Sequence, residues 1–141
     1  MTKLFIDSDI ILDLLIKRNE YESSALLFTQ IDKKEVKGYT SPIVLANVHY
    51  IMTKYGGKDK SIQNLRNLRK ILSILTLDEK IIDEALYTEA PDFEDSIQYI
   101  VSAKNEIDFI ITRNLKDYKG SNVPVLTATE FLEINIKNEE K

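Results

Sequence analysis

Leu4-Phe5-Ile6-Asp7-Ser8-Asp9-Ile10-Ile11-Leu12 is the stretch of sequence that decides the fold. Its first three residues form a short apolar run, which predicts a buried strand that ends at Asp7. The apolar residues from Ile10 onward lie on one stripe of a helix, with Ser8 or Asp9 as its expected N-cap. A buried strand followed at once by an amphipathic helix is typical of a parallel α/β unit.

The same alternation of strands and helices continues to the end of the chain. Further strands are expected within residues 36–40, 74–77, 109–111 and 123–126, and helices over residues 22–34, 43–55, 62–72, 78–87 and 91–103 and after Thr127. This order predicts a single three-layer α/β domain over residues 1–135 with a mainly parallel sheet, followed by a charged C-terminal tail at 136–141.

Composition excludes several classes of protein. The 141 residues are 43% hydrophobic and 30% charged, as in an ordinary globular domain. Apolar runs are too short for a membrane-spanning helix, and Asp7 and Asp9 interrupt the first one, which argues against a signal peptide. The absence of cysteine rules out disulfides and thiolate zinc sites, and it fits a cytoplasmic location.

Positive charge is concentrated in one segment of an acidic protein. The net charge is −4, yet residues 54–70 carry six basic side chains and one acid, so the segment is +5 and the remainder −9. Such a segment is either a solvated helix face or a surface that contacts RNA phosphates. The candidate RNA-binding residues are Lys54, Lys58, Lys60, Arg66 and Arg69.

Three acids are expected near the ends of predicted strands. Asp7 ends the first strand, Asp117 follows the strand at 109–111, and Asp95 lies in the first turn of the helix before that strand. Sites in parallel sheets form beyond the carboxyl ends of strands, and acids gathered there repel one another unless a cation intervenes. Because Mg²⁺ and Mn²⁺ take oxygen ligands, the pattern indicates a phosphate-handling metal site.

Each of these acids also has a structural alternative. Asp7 could cap the next helix, Asp117 could be a turn aspartate, and Asp92 with Asp95 has the spacing of a capping box. Asp9 is interpreted as a helix cap or an outer ligand.

Two further polar residues are interpreted as structural. Asp13 has the spacing to pair with Lys17 on one helix face. His49 is the only histidine, so no site made of several histidines can form.

Three segments together resemble the PIN domain, in particular the VapC-like ribonuclease toxins of bacterial toxin–antitoxin pairs. They are Phe5 to Asp13, Ser41 to Tyr50, and the stretch from Asp92 to Tyr118, which holds Asp92-Phe93-Glu94-Asp95 and Thr112-Arg113-Asn114-Leu115-Lys116-Asp117. The order and spacing of the segments extend over nearly the whole chain. The resemblance implies a five-stranded parallel sheet flanked by helices, with acidic residues gathered at one end.

Residue by residue, the resemblance assigns Asp7, Asp95 and Asp117 as catalytic metal ligands. Accessory roles fall to Thr112, Asn114, Glu94 and Asp9. The second segment of the family pattern usually offers a glutamate, and this sequence has Asn47 there. An amide oxygen can bind a metal but brings no charge, so we expect weaker metal binding, recruitment of Glu94 or Asp9, or lost catalysis with retained RNA binding.

The resemblance implies Mg- or Mn-dependent hydrolysis of RNA phosphodiesters by an endoribonuclease, together with homodimerisation and inhibition by an antitoxin protein. Two alternatives remain open. One is a catalytically silent PIN module that binds RNA or a partner protein, which the amide at Asn47 favours. The other is a haloacid-dehalogenase-type phosphatase with Asp7 as nucleophile, which the lack of glycine near Glu94-Asp95 disfavours.

Overall fold

A parallel five-stranded sheet forms the centre of the computed structural model, which describes residues 1–88 and 92–139, with side chains through Asn135. The strands are β1 (Lys3–Ile6), β2 (Lys37–Thr40), β3 (Leu72–Ile74), β4 (Phe109–Ile111) and β5 (Val125–Leu126). The helices are α1 (Ser8–Leu15), α2 (Tyr21–Asp32), α3 (Pro42–Gly56), α4 (Lys58–Arg69), α5 (Glu79–Leu86), α6 (Phe93–Lys104) and α7 (Ala128–Glu139), with a 3₁₀ helix at Leu115–Tyr118.

The strand order is β3-β2-β1-β4-β5, and every pairing is parallel. The chain moves outward from β1 to β2 and β3, then crosses back to β4 on the other side of β1. Because crossovers between parallel strands are right-handed, the connections through α1–α4 and through α5–α6 lie on opposite faces of the sheet. The change of direction places a crevice beyond the carboxyl ends of β1 and β4.

The predicted core strands are buried on both faces. Leu4, Phe5 and Ile6 of β1 and Ile110 and Ile111 of β4 are completely inaccessible to solvent. Continuous apolar runs of this kind are expected for central parallel strands covered by helices on each side. The predicted α/β architecture and its five-stranded sheet are confirmed.

Two elements differ from the sequence prediction. β3 begins at Leu72, a residue expected at the end of a helix, because α4 ends at Arg69, whose Nη1 donates a 2.9 Å hydrogen bond to the Leu72 carbonyl oxygen. The backbone of α7 is helical through Glu139 and overlaps the segment predicted as a tail, 136–141. Glu140, Lys141 and Pro91, the expected start of α6, lie outside the described residues.

Gly38 allows β2 to lie close to its neighbours. A Cβ at this position would be 2.7 Å from Leu72 Cδ2 and 2.9 Å from Ile31 Cδ1. Leu72 and Ile31 are themselves buried, so neither can move far to make room. The absence of a side chain at Gly38 therefore sets the spacing between β2, β3 and α2.

Across the described ranges, no helix combines the length and the apolar character needed to cross a membrane.

Candidate metal centre

Asp7 lies at the switch point of the sheet. Its backbone N–H extends the parallel ladder by donating to the Ile111 carbonyl oxygen at 3.0 Å. Asp7, and not Ser8 or Asp9 as predicted, is the N-cap of α1, because its extended backbone (φ −79°, ψ 163°) places Oδ1 2.8 Å from the Ser8 N–H. Asp7 can therefore cap the helix and also belong to the candidate site. Its Oδ1 caps α1, while its Oδ2 faces the crevice.

Thr112 connects two carboxylates from the end of β4. Its buried hydroxyl lies 2.9 Å from Asp7 Oδ2 and 3.2 Å from Asp9 Oδ2, with one proton to donate between them. Asp9 Oδ2 also accepts a 3.0 Å hydrogen bond from the Arg113 backbone N–H, and Asp9 Oδ1 is buried with no hydrogen-bond partner in the described part of the protein. Thr112, predicted as an accessory residue, thus lies between the first two acids of the site.

Tyr118 is part of the cluster, although sequence reasoning gave it no role. It comes from the 3₁₀ helix, is 2% exposed, and its hydroxyl donates to Asp7 Oδ2 at 3.0 Å. The same hydroxyl interacts with Asp95, where it partly opposes the rise in pKa that burial and the neighbouring acids cause. The only sequence signal was its place next to Asp117, because an aromatic side chain by itself usually indicates packing.

Asp92 caps the helix, whereas the carboxyl of Asp95 belongs to the acidic cluster. The Asp92 side chain caps α6 by accepting a 3.0 Å hydrogen bond from the Asp95 N–H, as the capping interpretation predicts. The Asp95 carboxyl, by contrast, interacts electrostatically with Asp7 and Asp117 across the crevice. Asp95 therefore belongs to the cluster while its backbone completes the helix cap.

The predicted trio Asp7, Asp95 and Asp117 is close enough for mutual repulsion. Desolvation by burial raises the pKa of Asp7, and the charge of Asp117 raises it further. Burial, followed by the charges of Asp7, Asp92 and Asp117, raises the pKa of Asp95 to about 7. Burial and the charge of Asp7 raise the pKa of Asp9 to about 6. The cluster thus accumulates negative charge that a proton or a cation would relieve.

Asn47 and Glu94 contact each other at the exposed rim. The Asn47 Nδ2 donates to Glu94 Oε2 at 3.3 Å, which joins α3 to the first turn of α6. Both residues were predicted as accessory candidates, Asn47 because it stands where the family pattern has an acid. Asn114, the remaining accessory candidate, has an exposed side chain, and its backbone N–H donates to the Thr112 hydroxyl at 3.1 Å.

Asp13 has partners other than the one predicted. It is 0% exposed and pairs with Arg18 and Arg113, not with Lys17. Lys17 instead lies 5.9 Å above the Tyr21 ring. Residues four apart are neighbours on a helix, but Lys17 has a left-handed backbone (φ 49°) just after α1 ends, so helical spacing no longer applies to it.

The predicted basic residues occupy the last turn of α3 and the whole of α4. Lys54 lies over the Tyr50 ring at 4.3 Å, and Arg69 is engaged with the Leu72 carbonyl oxygen. His49 is structural, as predicted, because its Nδ1 lies 2.8 Å from Ser61 Oγ and joins α3 to α4. The candidate RNA-binding side chains are all exposed: Lys54, Lys58, Lys60, Arg66 and Arg69.

The donor set fits a hard divalent cation that keeps much of its water. All acidic groups of the cluster offer carboxylate oxygens, and Asp9 Oδ1 is a buried acceptor to which none of the described groups donates. Within residues 1–88 and 92–139, no three acidic or histidine side chains are already arranged around one metal position. Mg²⁺ commonly binds proteins through one or two carboxylates plus water and substrate phosphate, so a pair of carboxylates is sufficient.

Known proteins share this architecture. A family model described as the PIN domain matches residues 3–116. No curated protein matches the sequence.

Three solved structures have the same fold at low identity. VapC20 of Mycobacterium tuberculosis, described as a sarcin-ricin loop cleaving toxin, is 14% identical with a TM-score of 0.62, covering 76% of this chain and 86% of its own. VapBC2 of Rickettsia felis, bound to a promoter DNA fragment, gives 16% identity, a TM-score of 0.64 and coverage of 88% and 97%. A toxin–antitoxin complex from Klebsiella pneumoniae gives 20% identity, a TM-score of 0.65 and coverage of 89% and 97%.

Proposed function

The chain belongs to the PIN domain family, and from this premise we propose that it is a metal-dependent endoribonuclease acting as the toxin of a toxin–antitoxin pair. One observation supports the proposal above the others: Asp7, Asp95 and Asp117, which come from three distant parts of the sequence, interact electrostatically at the switch point of the sheet. The alternative of an aspartate-nucleophile phosphatase has no support from the family match.

The proposed cofactor is Mg²⁺ or Mn²⁺, held by Asp7 and Asp95 with Asp117 beside them. When bound, such an ion supplies Lewis acidity toward a phosphate oxygen and makes a nearby water more acidic. The protein contributes a prepared set of ligands: the Thr112 and Tyr118 hydroxyls both donate to Asp7 Oδ2 and fix the direction of that carboxylate. Partners of this kind commonly orient metal ligands.

RNA is the proposed substrate, and the exposed basic residues of α3 and α4 are proposed to hold its backbone. Lys54, Lys58, Lys60 and Arg66 are exposed and free of ion pairs within the described part of the chain. Phosphate contacts of this kind weaken as salt increases. We further propose a homodimer, an antitoxin protein partner and a cytoplasmic site of action, where cellular RNA is found.

The decisive experiment is incubation of purified protein with RNA in Mg²⁺ or Mn²⁺, with and without chelator. Asp7→Asn and Asp95→Asn should each abolish cleavage, while Asp83→Asn on the exposed surface of α5 should cleave as wild type does. Cleavage that persists in Asp7→Asn would indicate a contaminating nuclease and refute the site. A parallel test in bacterial cells should show growth arrest by wild type and none by Asp7→Asn.

A silent module is the second candidate, because the place of the expected glutamate is taken by Asn47, whose amide is hydrogen-bonded to Glu94. It predicts that wild type, Asp7→Asn and Asp95→Asn all bind RNA in a gel-shift assay and that none cuts it. Cleavage by wild type alone rejects this candidate.

A further inference from the structure

Arg113 contacts two carboxylates on one face of α1. Its backbone N–H donates to Asp9 Oδ2 at 3.0 Å, and its Nη2 donates to Asp13 Oδ1 at 3.2 Å. Its Nε lies 2.8 Å from Asp13 Oδ2, a charge contact whose angle is outside hydrogen-bond geometry. Asp9 and Asp13 are four residues apart, so they lie one turn apart on the same face of the helix. The segment that follows β4 is therefore attached to α1 at two points.

That segment carries several of the groups that donate hydrogen bonds to the acidic cluster. The hydroxyl of Thr112, immediately before Arg113, lies within hydrogen-bond distance of both Asp7 and Asp9. The Asn114 N–H donates to the same hydroxyl. A shift of Arg113 along α1 would move the Thr112 hydroxyl away from both acids. The attachment of Arg113 thus determines the geometry next to Asp7.

Asp13 is placed too deep to serve in the cluster itself. It is fully buried, and a buried carboxylate is costly unless cations and donors surround it. Two guanidinium groups share its Oδ1 at 3.2 Å, from Arg18 and from Arg113. Arg18 lies five positions after Asp13 and its backbone N–H donates to the Asp13 carbonyl oxygen, so this contact is local. Among the described residues, only Arg113 connects Asp13 to the end of β4.

We propose that Arg113, anchored by Asp13, is a positioning residue that sets the Thr112 hydroxyl and the Asp9 carboxylate beside Asp7. On the premise of the proposed function, it also controls the affinity of the site for its divalent cation. It acts through Thr112 and Asp9 and has no role in contacting substrate.

Arg18 provides a matched control for the test. Arg113→Lys and Arg18→Lys each keep a positive charge near Asp13 but lose the planar guanidinium, which contacts both oxygens of Asp13 from Arg113 and Oδ1 alone from Arg18. Amide hydrogen exchange of metal-free protein, followed by NMR at residues 113 and 114, is the first measurement. We expect roughly tenfold faster exchange in Arg113→Lys, as when a charge-assisted hydrogen bond is weakened, and about wild-type exchange in Arg18→Lys.

The second measurement is titration with Mn²⁺. Arg113→Lys should bind about tenfold more weakly than wild type, and its kcat should fall with KM for RNA unchanged, whereas Arg18→Lys should match wild type. Asp13→Asn keeps the shape of the side chain and serves as a second variant in case Arg113→Lys folds poorly. It should show the same faster exchange at residues 113 and 114.

Equal effects of the two lysine variants on exchange would overturn the positioning role, because both remove a contact to the same carboxylate. Wild-type exchange at residues 113 and 114 in Arg113→Lys would overturn it as well. Failure of wild type to bind Mn²⁺ would instead refute the proposed metal dependence, and the exchange comparison would still decide the role of Arg113.

Discussion

The phenolic hydroxyl of Tyr118 donates a 3.0 Å hydrogen bond to Oδ2 of Asp7, a residue 111 positions earlier in the chain. The Thr112 hydroxyl reaches the same oxygen at 2.9 Å. Asp7 is nearly inaccessible to solvent, so these two hydroxyls take the place that water would have around an exposed carboxylate. The contact therefore ties the 3₁₀ helix to the end of β1 through a group that belongs to the candidate site.

Removing this hydroxyl should weaken both the fold and the metal site. Tyr118→Phe keeps the ring, and it should lower the free energy of unfolding by about 1.5–3 kcal/mol, the range for a hydrogen bond to a charged group. Mn²⁺ affinity should fall by roughly tenfold, because a partner that orients a ligand is lost. Thermal unfolding and Mn²⁺ titration measure the two effects.

Tyr99 supplies the control for that variant. Its ring is also buried, but its hydroxyl has no hydrogen-bond partner among the residues that the structure describes. Tyr99→Phe should leave unfolding and Mn²⁺ affinity close to wild type. Equal losses in the two phenylalanine variants would show that the Tyr118–Asp7 hydrogen bond has no special role.

The metal-free protein should become less stable as pH rises. The pKa of Asp9 is raised to about 6, that of Asp95 to about 7, and that of Asp7 is also raised, in each case first by burial. The folded state therefore binds more protons than the unfolded state between about pH 4 and pH 7, so the stabilisation is present below this window and is lost across it. Chemical unfolding at several pH values in the presence of chelator measures this decline in the free energy of unfolding.

Asp95→Asn tests the contribution of one carboxyl to this decline. At about pH 8 the variant should be more stable than wild type by about 1–2 kcal/mol, a modest figure because Asp95 is partly solvated, and the difference should vanish near pH 4. Asp83→Asn, on an exposed surface, should follow the wild-type profile. A wild-type protein whose stability rises between pH 4 and pH 7 would contradict the electrostatic description of the cluster.

Much of the fold follows from local signals. β1 and β4 are uninterrupted apolar runs, and Ser41-Pro42 begins α3 with a proline at its start and the Ser41 hydroxyl accepting a hydrogen bond from the Val44 N–H. Thr127 and Glu130 cap α7 reciprocally at 3.0 and 3.1 Å. Local signals do not locate the start of β3, because it depends on the pairing of Leu72 with Gly38 of β2, a contact between residues distant in sequence.

Residues of the candidate site can be predicted from the sequence where the position of the backbone alone brings them together. Asp7 follows β1 and Thr112 follows β4, and adjacent parallel strands bring their carboxyl ends together. The partners of Asp13 and the role of Tyr118 depend on where long side chains point, which is decided by tertiary packing. Helical spacing accordingly suggested Lys17 for Asp13, whereas the buried carboxylate takes Arg113 from a segment 100 positions away.

A side chain at position 38 should destabilise the protein, whereas one at position 56 should be tolerated. In Gly38→Ala the new Cβ would meet buried Leu72 and Ile31 at under 3 Å, so we expect a loss of about 1–3 kcal/mol in unfolding free energy. In Gly56→Ala the nearest atom is the flexible Lys60 Cδ at 2.9 Å, and alanine should be neutral or stabilise α3 by about 0.5–1 kcal/mol. Equal destabilisation of both variants would contradict the packing argument for β2.

Restoring an acid at Asn47 should strengthen metal binding if this position faces the site as the family pattern implies. Asn47→Glu adds a carboxylate next to Glu94, with which Asn47 now shares a 3.3 Å hydrogen bond. The metal-free variant should be less stable at neutral pH because two like charges meet, and Mn²⁺ should relieve that repulsion and bind several-fold more tightly than to wild type. Asn47→Gln has the same length without the charge, so it should bind Mn²⁺ no better than wild type. Equal Mn²⁺ affinity in the glutamate and glutamine variants would place Asn47 outside the metal site and leave its contact with Glu94 as a link between α3 and α6.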